Sequence, residues 1–481
     1  MSTQRTTLLA LLLTTCLSMS HAFKTQGDGT TYTFEKLAQT EGTGVTKADD
    51  KTYIVLSNDT IAEGDTFTLA EDFVEGMTVK FGNEVTFVIE GKAELSSPIC
   101  IVADGDIIDG DFPIYTYAGS IMTFITFTKN GEDDVPYGIK LSGANADEFV
   151  KVYGLRFEYL GLANYSESDV QIDNCEFYRH NGSQSGALFL GSSQKTTYLT
   201  GSTFSECGKA AIGGAANYSC PIYISYCLFQ QNSQNNQNIP QLNLTAAADI
   251  TIIGCRIEGD PTKNMVGGIG VSNFMSYPNT NLAITECKIE DNRYGIGTVG
   301  PIANIRIDDC TLLNNRYESN PMNGGSGISL YDPYQQTQAV VSGCHIEGSL
   351  WGVTIIGCKN VNLGCLDKSG AYNPGGNVFK DNGNGGQLYD LYNNSTLTVY
   401  AQNNTWNVSE QTQEQIETVI FHKADDASLG EVIYWPAAAN TGIRTIDHSQ
   451  LTNDHYYGLD GIHRSAPQKG INIVNGKKVV Y

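Results

Sequence analysis

An all-β solenoid, a single-stranded right-handed parallel β-helix, is what this 481-residue sequence predicts, on three observations. The first is a recurring rung: IDNCEF at Cys175, LTGSTF at Ser202, ISYCLF at Cys227, IIGCRI at Cys255, ITECKI at Cys287, IDDCTL at Cys310 and VSGCHI at Cys344. Each sets an aliphatic residue three before the Cys or Ser and an apolar one two after it. The rungs recur after 27, 25, 28, 32, 23 and 34 residues, and fixed chemistry at elastic spacing is how stacked coils look in a sequence. The second is a further column of short strands between the rungs: GALFL from Gly186, AAIGG from Ala210, GGIGV from Gly267, YGIGTV from Tyr294, SGISLY from Ser326 and WGVTII from Trp351. Glycine stands ahead of these strands, where the backbone turns tightly. The third is composition: 51 Gly against 13 Pro, with 41% hydrophobic residues, suits short strands and many turns. Successive hairpins would not set the same Cys at every second strand, so parallel stacking is preferred, and the crossover rule gives the right hand.

Taken in order, the chain opens on a signal peptide over residues 1–22. Arg5 precedes an apolar run from Leu8 to Leu13, and Ser20-His21-Ala22 offers small residues around a cleavage point after Ala22. That run is too short to span a bilayer, so the mature protein is expected to be secreted, extracellular or on the outer cell surface, with no membrane span. Cys16 gives a lipoprotein alternative, although Thr15 is larger than the residue that usually precedes a lipidated Cys. Residues 23–98 are expected to hold an N-terminal cap and the first irregular coils, with Thr33 capping a short helix that carries Phe34, Leu37 and Ala38. Residues 99–408 are assigned to the parallel β-helix, entered through IVADGDIIDGD, MTFITF, YGIKL and VKVYGLRF. Residues 409–438 form a C-terminal cap, a short helix with Thr412 and Gln415 as a capping box and Ile416, Val419 and Ile420 as its apolar face. In the tail, residues 439–481, Asn475-Gly476 between INIV and KKVVY signals a terminal β-hairpin.

Of twelve cysteines, eleven lie beyond Cys16, an odd number, and six share one repeat position. Parallel strands stack about 4.8 Å apart, and side chains held in that register are poorly placed for a disulfide. A column of buried free thiols acting as small apolar residues is expected. No CxxC pair or His cluster accompanies them, so thiolate metal binding is not expected.

The rungs, the Asn after the turn (Asn181, Asn232, Asn292, Asn315) and the closing AQNNTWNV from Ala401 resemble the right-handed β-helix repeat proteins of the pectin-lyase-like superfamily. IETVIFHKADDASLGEVIYWP, from Ile416 to Pro436, is similar to the terminal cap of many secreted bacterial members. The resemblance covers about Ile99 to Pro436. It implies the fold but no single activity, because the fold hosts lyases, hydrolases, epimerases and adhesins. The segment from Tyr457 to Lys477 resembles the end of the C-terminal sorting domains used in Bacteroidetes type IX secretion, which implies export across an outer membrane.

A net charge of −23 argues against nucleic acid and anionic membranes as partners. Hydrolases of the resembled fold use NTD, DD and GHG motifs. Asp308-Asp309 is the DD near a rung, no NTD or GHG occurs, and neighbouring strand residues face opposite sides, so the pair reads as turn solvation. Asp104, Asp106, Asp109 and Asp111 are the calcium candidates, although Ile108 stands where a calcium loop needs oxygen; otherwise no cofactor is implied. Counting seven residues beyond the rung gives Tyr294, Tyr317 and Trp351, and counting six gives Arg293, Arg316 and Leu350. Stacked in register these form an aromatic column flanked by guanidinium groups, suited to sugar faces and hydroxyls, or else a ladder that stabilises the turn. Inserted loops, QQNSQNNQNIPQ after Cys227 and RYESNPMNGGS after Cys310, place Glu318, Asn320, Asn323, Tyr331 and Asp332 near that edge. Glu318 or Asp332 is the candidate acid or base, and Arg316 the candidate base of a lyase. His180 and His345 have no visible partner and read as structural. Two functions follow: a monomeric surface β-helix that binds polysaccharide or cell-surface glycan without catalysis, and a polysaccharide lyase or glycoside hydrolase in the same groove. A structural or adhesive surface protein is the third.

Overall fold

The computed structural model describes residues 22–438 except 70–75, 97–105, 110–111, 117–124, 132–137, 144–149, 183, 192–194, 216–218, 319–323 and 369, together with the tail strands 456–458, 463–464, 471–474 and 477–480. The expected signal peptide, residues 1–22, lies outside these residues apart from Ala22. The fold is a right-handed parallel β-helix. Each coil supplies three strands, as in Val170–Asp173, Glu176–Tyr178 and Gly186–Leu190, and their copies stack parallel into sheets I, II and III. Among the described residues these sheets hold fourteen, thirteen and thirteen strands.

The Cys rung sits at the corner between sheets I and II. One residue in the left-handed region precedes it in each coil: Asn174 (φ 51°), Tyr226 (53°), Glu286 (53°) and Asp309 (51°), with glycine at 201, 254 and 343. The next side chain turns inward. Cys287 Sγ donates to its own coil at Thr285 O (3.3 Å) and to the preceding coil at Ile252 O (3.8 Å), and Cys344 repeats this with Ser342 O (3.4 Å) and Ile307 O (3.7 Å). Ser202 fits the series because its hydroxyl donates to Thr200 O (3.1 Å) and accepts the Cys175 amide (3.1 Å). Beyond Cys344 the column continues as Asn377 and Asn404, each accepting the rung amide of the coil before it, at 3.0 and 2.9 Å. Ten described cysteines are free and buried.

The apolar residue two past the rung fills the interior. Phe157, Phe177, Phe204 and Phe229 stack with ring centroids 4.7, 4.4 and 5.2 Å apart, and each buried ring contributes about 2 kcal/mol. At the corner from sheet II to sheet III an asparagine ladder takes over. The Asn292 amide donates to Asn315 Oδ1 (3.2 Å), and Asn315 Nδ2 to Ile289 O (2.9 Å). Buried Gln241 bridges the coil in which Gly259 leaves the ladder short, joining Asn232 Nδ2 (3.0 Å) to Asn292 Oδ1 (3.0 Å). Upstream, His180 holds the inward place after left-handed Arg179, and Asn181, grouped with the ladder on sequence, is displaced by one residue to an exposed position. The glycines ahead of the sheet III strands are required by closeness: a Cβ on Gly268, Gly295 or Gly327 would stand 2.6, 2.6 or 2.9 Å from the corresponding carbonyl of the next coil.

Both ends are covered. Thr33 Oγ1 accepts the Lys36 amide (3.1 Å) to start the helix Phe34–Ala38, and Phe34 packs its ring on Phe67 (5.0 Å) and Phe87 (5.5 Å). Thr412 caps the helix Gln413–Glu417. Gln415 completes no reciprocal box: its Oε1 accepts from Ser409 Oγ and the Glu410 amide (both 2.9 Å) because the preceding turn brings those donors nearer. Ile416, Val419 and Ile420 are buried, the last on a two-residue strand paired to Leu391–Tyr392. The parallel ladders already join Thr78–Phe81, Thr86–Ile89 and Lys92–Ser96 to the strands after residue 124. Asp106–Asp109 and Phe112–Thr116 pair antiparallel with each other, so the described part of IVADGDIIDGD lies outside the parallel ladders. In the tail Ile471–Val474 and Lys477–Val480 pair antiparallel as the hairpin expected around Asn475-Gly476, within a sheet of four strands.

Intact-mass measurement after alkylation in guanidinium without reductant is expected to find the ten described cysteines all modified; three or more disulfides would contradict the thiol column. A second prediction concerns Asp390, a carboxylate with no exposed surface that accepts the Asn407 amide (2.7 Å) and Asn382 Nδ2 (3.2 Å). Burial pushes its pKa up to about 7 from an ordinary 3.8, so the folded state keeps a proton that the unfolded chain has lost. The resulting stability is complete below about pH 4 and is lost as pH rises through about 7, at roughly 1.4 kcal/mol per pKa unit. Urea midpoints of wild type and Asp390→Asn are expected to agree at pH 4 and to diverge by pH 8, with the variant more stable there.

Candidate functional site

The second-to-third corner, where the sequence sets an aromatic column, is organised differently from that expectation. Counted from the strands rather than from the rung, Tyr294, Ser326 and Trp351 share one register row, since Ile296 pairs with Ile328 and Ser326 with Trp351. The loop inserted after Cys310 carries Tyr317 out of that row. Its hydroxyl donates to Asp291 Oδ1 (3.1 Å).

The rings of this row face protein. Tyr294 lies across the outer face of sheet III over three glycines, where a Cβ on Gly267, Gly297 or Gly270 would meet it at 2.1, 2.7 or 3.1 Å. Burial accordingly pushes its hydroxyl pKa up to about 12. Trp351 is only 7% exposed; it stacks on Tyr392 (5.0 Å, 5°), which stacks on Phe421 (4.6 Å, 6°), with Tyr389 edge-on to Trp351 (6.3 Å). Arg293 Nη1 donates to Asn238 Oδ1 in the loop after Cys227, and the Arg293 stem covers Gly324. Arg316 is exposed and Glu318 half-buried. Asn320 and Asn323 lie outside the described residues.

Asp332, the other acid candidate, is fully buried and builds a turn. Its carboxylate accepts the amides of Tyr334 (2.9 Å), Gln336 (2.7 Å) and Thr337 (2.6 Å), which leaves no face for a substrate. Asp309 is the left-handed corner residue, and Asp308 is held by Arg306 and by Ser342 Oγ, so this pair serves the corner as the sequence suggested. His345 has a partner after all, Glu347 at 2.7 Å. His180 is buried, and burial drops its pKa to about 4. Of the calcium candidates, Asp104 and Asp111 are outside the described residues, and Asp106 and Asp109 sit on the antiparallel strand noted above. Among the described residues no group of three or more His, Cys, Asp or Glu is arranged to hold a metal ion.

What the sequence reading missed is an exposed ridge at the opposite edge, where sheet III turns into sheet I. Val299 and Tyr331 are register partners at the ends of neighbouring strands and are 48% and 38% exposed. Around them Phe274 (70%), Tyr277 (52%) and Tyr334 (56%) stand on the corner loops. The loops are fixed: Gln336 Nε2 donates to Ser276 O (2.8 Å) and Asn273 Nδ2 to Pro301 O (2.5 Å), clasping two long corners over the short one between them. The available signal was aromatic residues inside polar, Pro-containing loops, NFMSYPN and YDPYQQ, where no core position absorbs them.

Residues 137–332 match the family model described as right-handed beta helix region. A solved structure of a double mutant of the periplasmic alginate epimerase AlgG aligns over 85% of this chain and 83% of its own, at 9% identity and a TM-score of 0.41. A hyperthermoactive exopolygalacturonase from Thermotoga maritima aligns over 81% of this chain and 94% of its own, at 9% identity and a TM-score of 0.23. No curated protein matches the sequence. Among the described residues no helix is long and apolar enough to cross a membrane.

Proposed function

We propose that this protein is an exported surface β-helix that binds an extended polysaccharide, or a cell-surface glycan, without catalysis. The observation that carries this reading is the ridge at the third-to-first corner, where Phe274, Tyr277, Tyr331 and Tyr334 are exposed on loops held by hydrogen bonds. Fixed rings bind the apolar faces of sugars with little loss of side-chain freedom, and the long axis of a solenoid suits a polymer. Of the residues chosen on sequence, Tyr331 belongs to the ridge. Arg316 and Tyr317 flank the other side of sheet III, and Tyr294, Arg293 and Trp351 shape that surface from within. Binding is favoured over a lyase or hydrolase because Asp332, the buried acid candidate, has its carboxylate occupied by three backbone amides. The signal peptide and the four-stranded tail, read as the remnant of a type IX sorting domain of the Bacteroidetes kind, complete the proposal of an exported protein, monomeric on the cell surface or beyond it.

Glycan-array binding is expected to give at least one polysaccharide hit, and the double variant Tyr331→Ala/Tyr334→Ala is expected to weaken it at least tenfold, about 1.4 kcal/mol or more. Trp351→Ala, by contrast, removes a buried stack and is expected to lower the melting midpoint. New reducing ends or unsaturated products on incubation with the hit would overturn the non-catalytic reading.

A further inference from the structure

A cavity of about 400 Å³ opens at the second-to-third corner, upstream of Tyr294 and across sheet III from the ridge. Tyr159, Arg179, Glu206 and Gln231 form its wall. They are the left-handed corner residues of four successive coils, with φ of 67, 53, 52 and 51°, so their side chains project side by side. The roof is the loop after Cys227. It is pinned to the earlier coils through Ser233 N to Lys209 O, Gln234 N to Cys207 O and Asn235 N to Gly208 O, each 2.9 Å. Asn235 Nδ2 reaches on to Asn181 Oδ1 (3.0 Å) above Gly208, where any Cβ would lie 2.4 Å from that oxygen. The cavity is therefore a construction of several coils and an anchored loop.

Its lining is amide-rich and electrically balanced. Arg179 Nη2 and Nε both meet Glu206 Oε2, at 2.8 and 2.9 Å, and this contact is the main cause that raises the guanidinium pKa. Among the described lining residues the cation Arg179 is thus already matched by the anion Glu206, and Lys129 Nζ lies over the Tyr159 ring, 5.0 Å from its centroid. A phosphate, sulfate or uronate would have to displace Glu206. An apolar ligand would cover the Gln231 amide without pairing it, while Gln234 Nε2 already donates to Gln231 O and Asp260 Oδ2 and Asn235 Nδ2 to Asn181. A sugar ring meets both conditions: its hydroxyls donate and accept as amides do, and its C–H groups suit the Tyr159 ring on the side away from Lys129.

We infer that this cavity is a binding pocket for one or two rings of a neutral saccharide. The inference rests on the carbohydrate reading above and adds to it the chemical class of the ligand and a second place of contact.

Isothermal titration of the full chain with glucose and mannose hexamers (β-1,4) and with galacturonate and mannuronate hexamers tests it. At least one neutral hexamer is expected to bind ten or more times tighter than either uronate. Gln231→Ala, at an exposed side chain, is expected to weaken that binding at least tenfold at an unchanged melting midpoint. Glu206→Gln, which frees Arg179, is expected to raise uronate affinity and so narrow the preference, a result that a purely structural Glu206 would not give. Uronate preference in the wild type, or full affinity in Gln231→Ala, overturns the pocket. If affinity then falls only in Tyr331→Ala/Tyr334→Ala, the ridge stands and the pocket does not; if it falls only in Gln231→Ala, the reverse holds. Binding of no hexamer overturns both.

Discussion

A non-glycine residue in the left-handed region costs about 1–2 kcal/mol, yet this chain places one at the first-to-second corner in coil after coil, at Asn174, Tyr226, Glu286 and Asp309. The cost is met by the side chain that follows. A thiol, hydroxyl or amide turned inward at that point satisfies corner carbonyls or amides in its own coil and the neighbouring one. Because each rung depends on the next, the corners hold the coils at one spacing, and the three sheets, the phenylalanine stack and both ladders inherit that register. Cysteine suits most of the column because its Sγ is small and apolar enough for the core while its S–H still donates weakly. At residues 377 and 404 asparagine replaces it, and its Oδ1 accepts the rung amide of the preceding coil.

The same constraint explains which parts of the structure were legible. The first-to-second corner has constant length, so Ile284, Cys287 and Ile289 predict their own positions in every other coil, and the architecture could be read from the rungs. The second-to-third corner varies in length, so a count from Cys310 places Tyr317 where the strand register places Ser326. A displacement of one residue likewise exchanged His180 and Asn181. Sequence spacing is thus a reliable ruler only across elements that no insertion interrupts. Burial is less legible still. Tyr294 and Trp351 read as exposed platforms because nothing in their spacing reveals that Gly267, Gly270 and Gly297 leave a bed for one ring and that Tyr392 takes a face of the other.

Asp332 and Tyr331 show how adjacent residues divide. Tyr331 ends a sheet III strand on its outer face, while Asp332 turns in to close the corner loop with three amides. An acid beside an aromatic in a polar loop suggests a catalytic edge, and the same composition is what a tight Asp-Pro turn requires. The two readings separate only when the carboxylate's hydrogen bonds are counted. Here they are used within the turn, and the aromatic side chains around it are left as the feature without an internal role.

Charge is partitioned among the faces in a way that bears on what the molecule can bind. Sheet II carries ionic ladders along its outer side: Arg156 with Glu158 and Glu176, Arg256 with Glu258 and Glu290, Lys288 with Glu290, and Lys380 with Glu347. Such surface pairs add little stability individually, but they commit four of the chain's 29 lysines and arginines to partners within the sheet. With 52 acidic residues against 29 basic ones, a polyanion approaching sheet III meets a negative background. Arg179 is matched by Glu206 and Arg293 is tied to Asn238. A neutral polymer carries no such penalty, since aromatic faces and amides recognise it without a compensating charge.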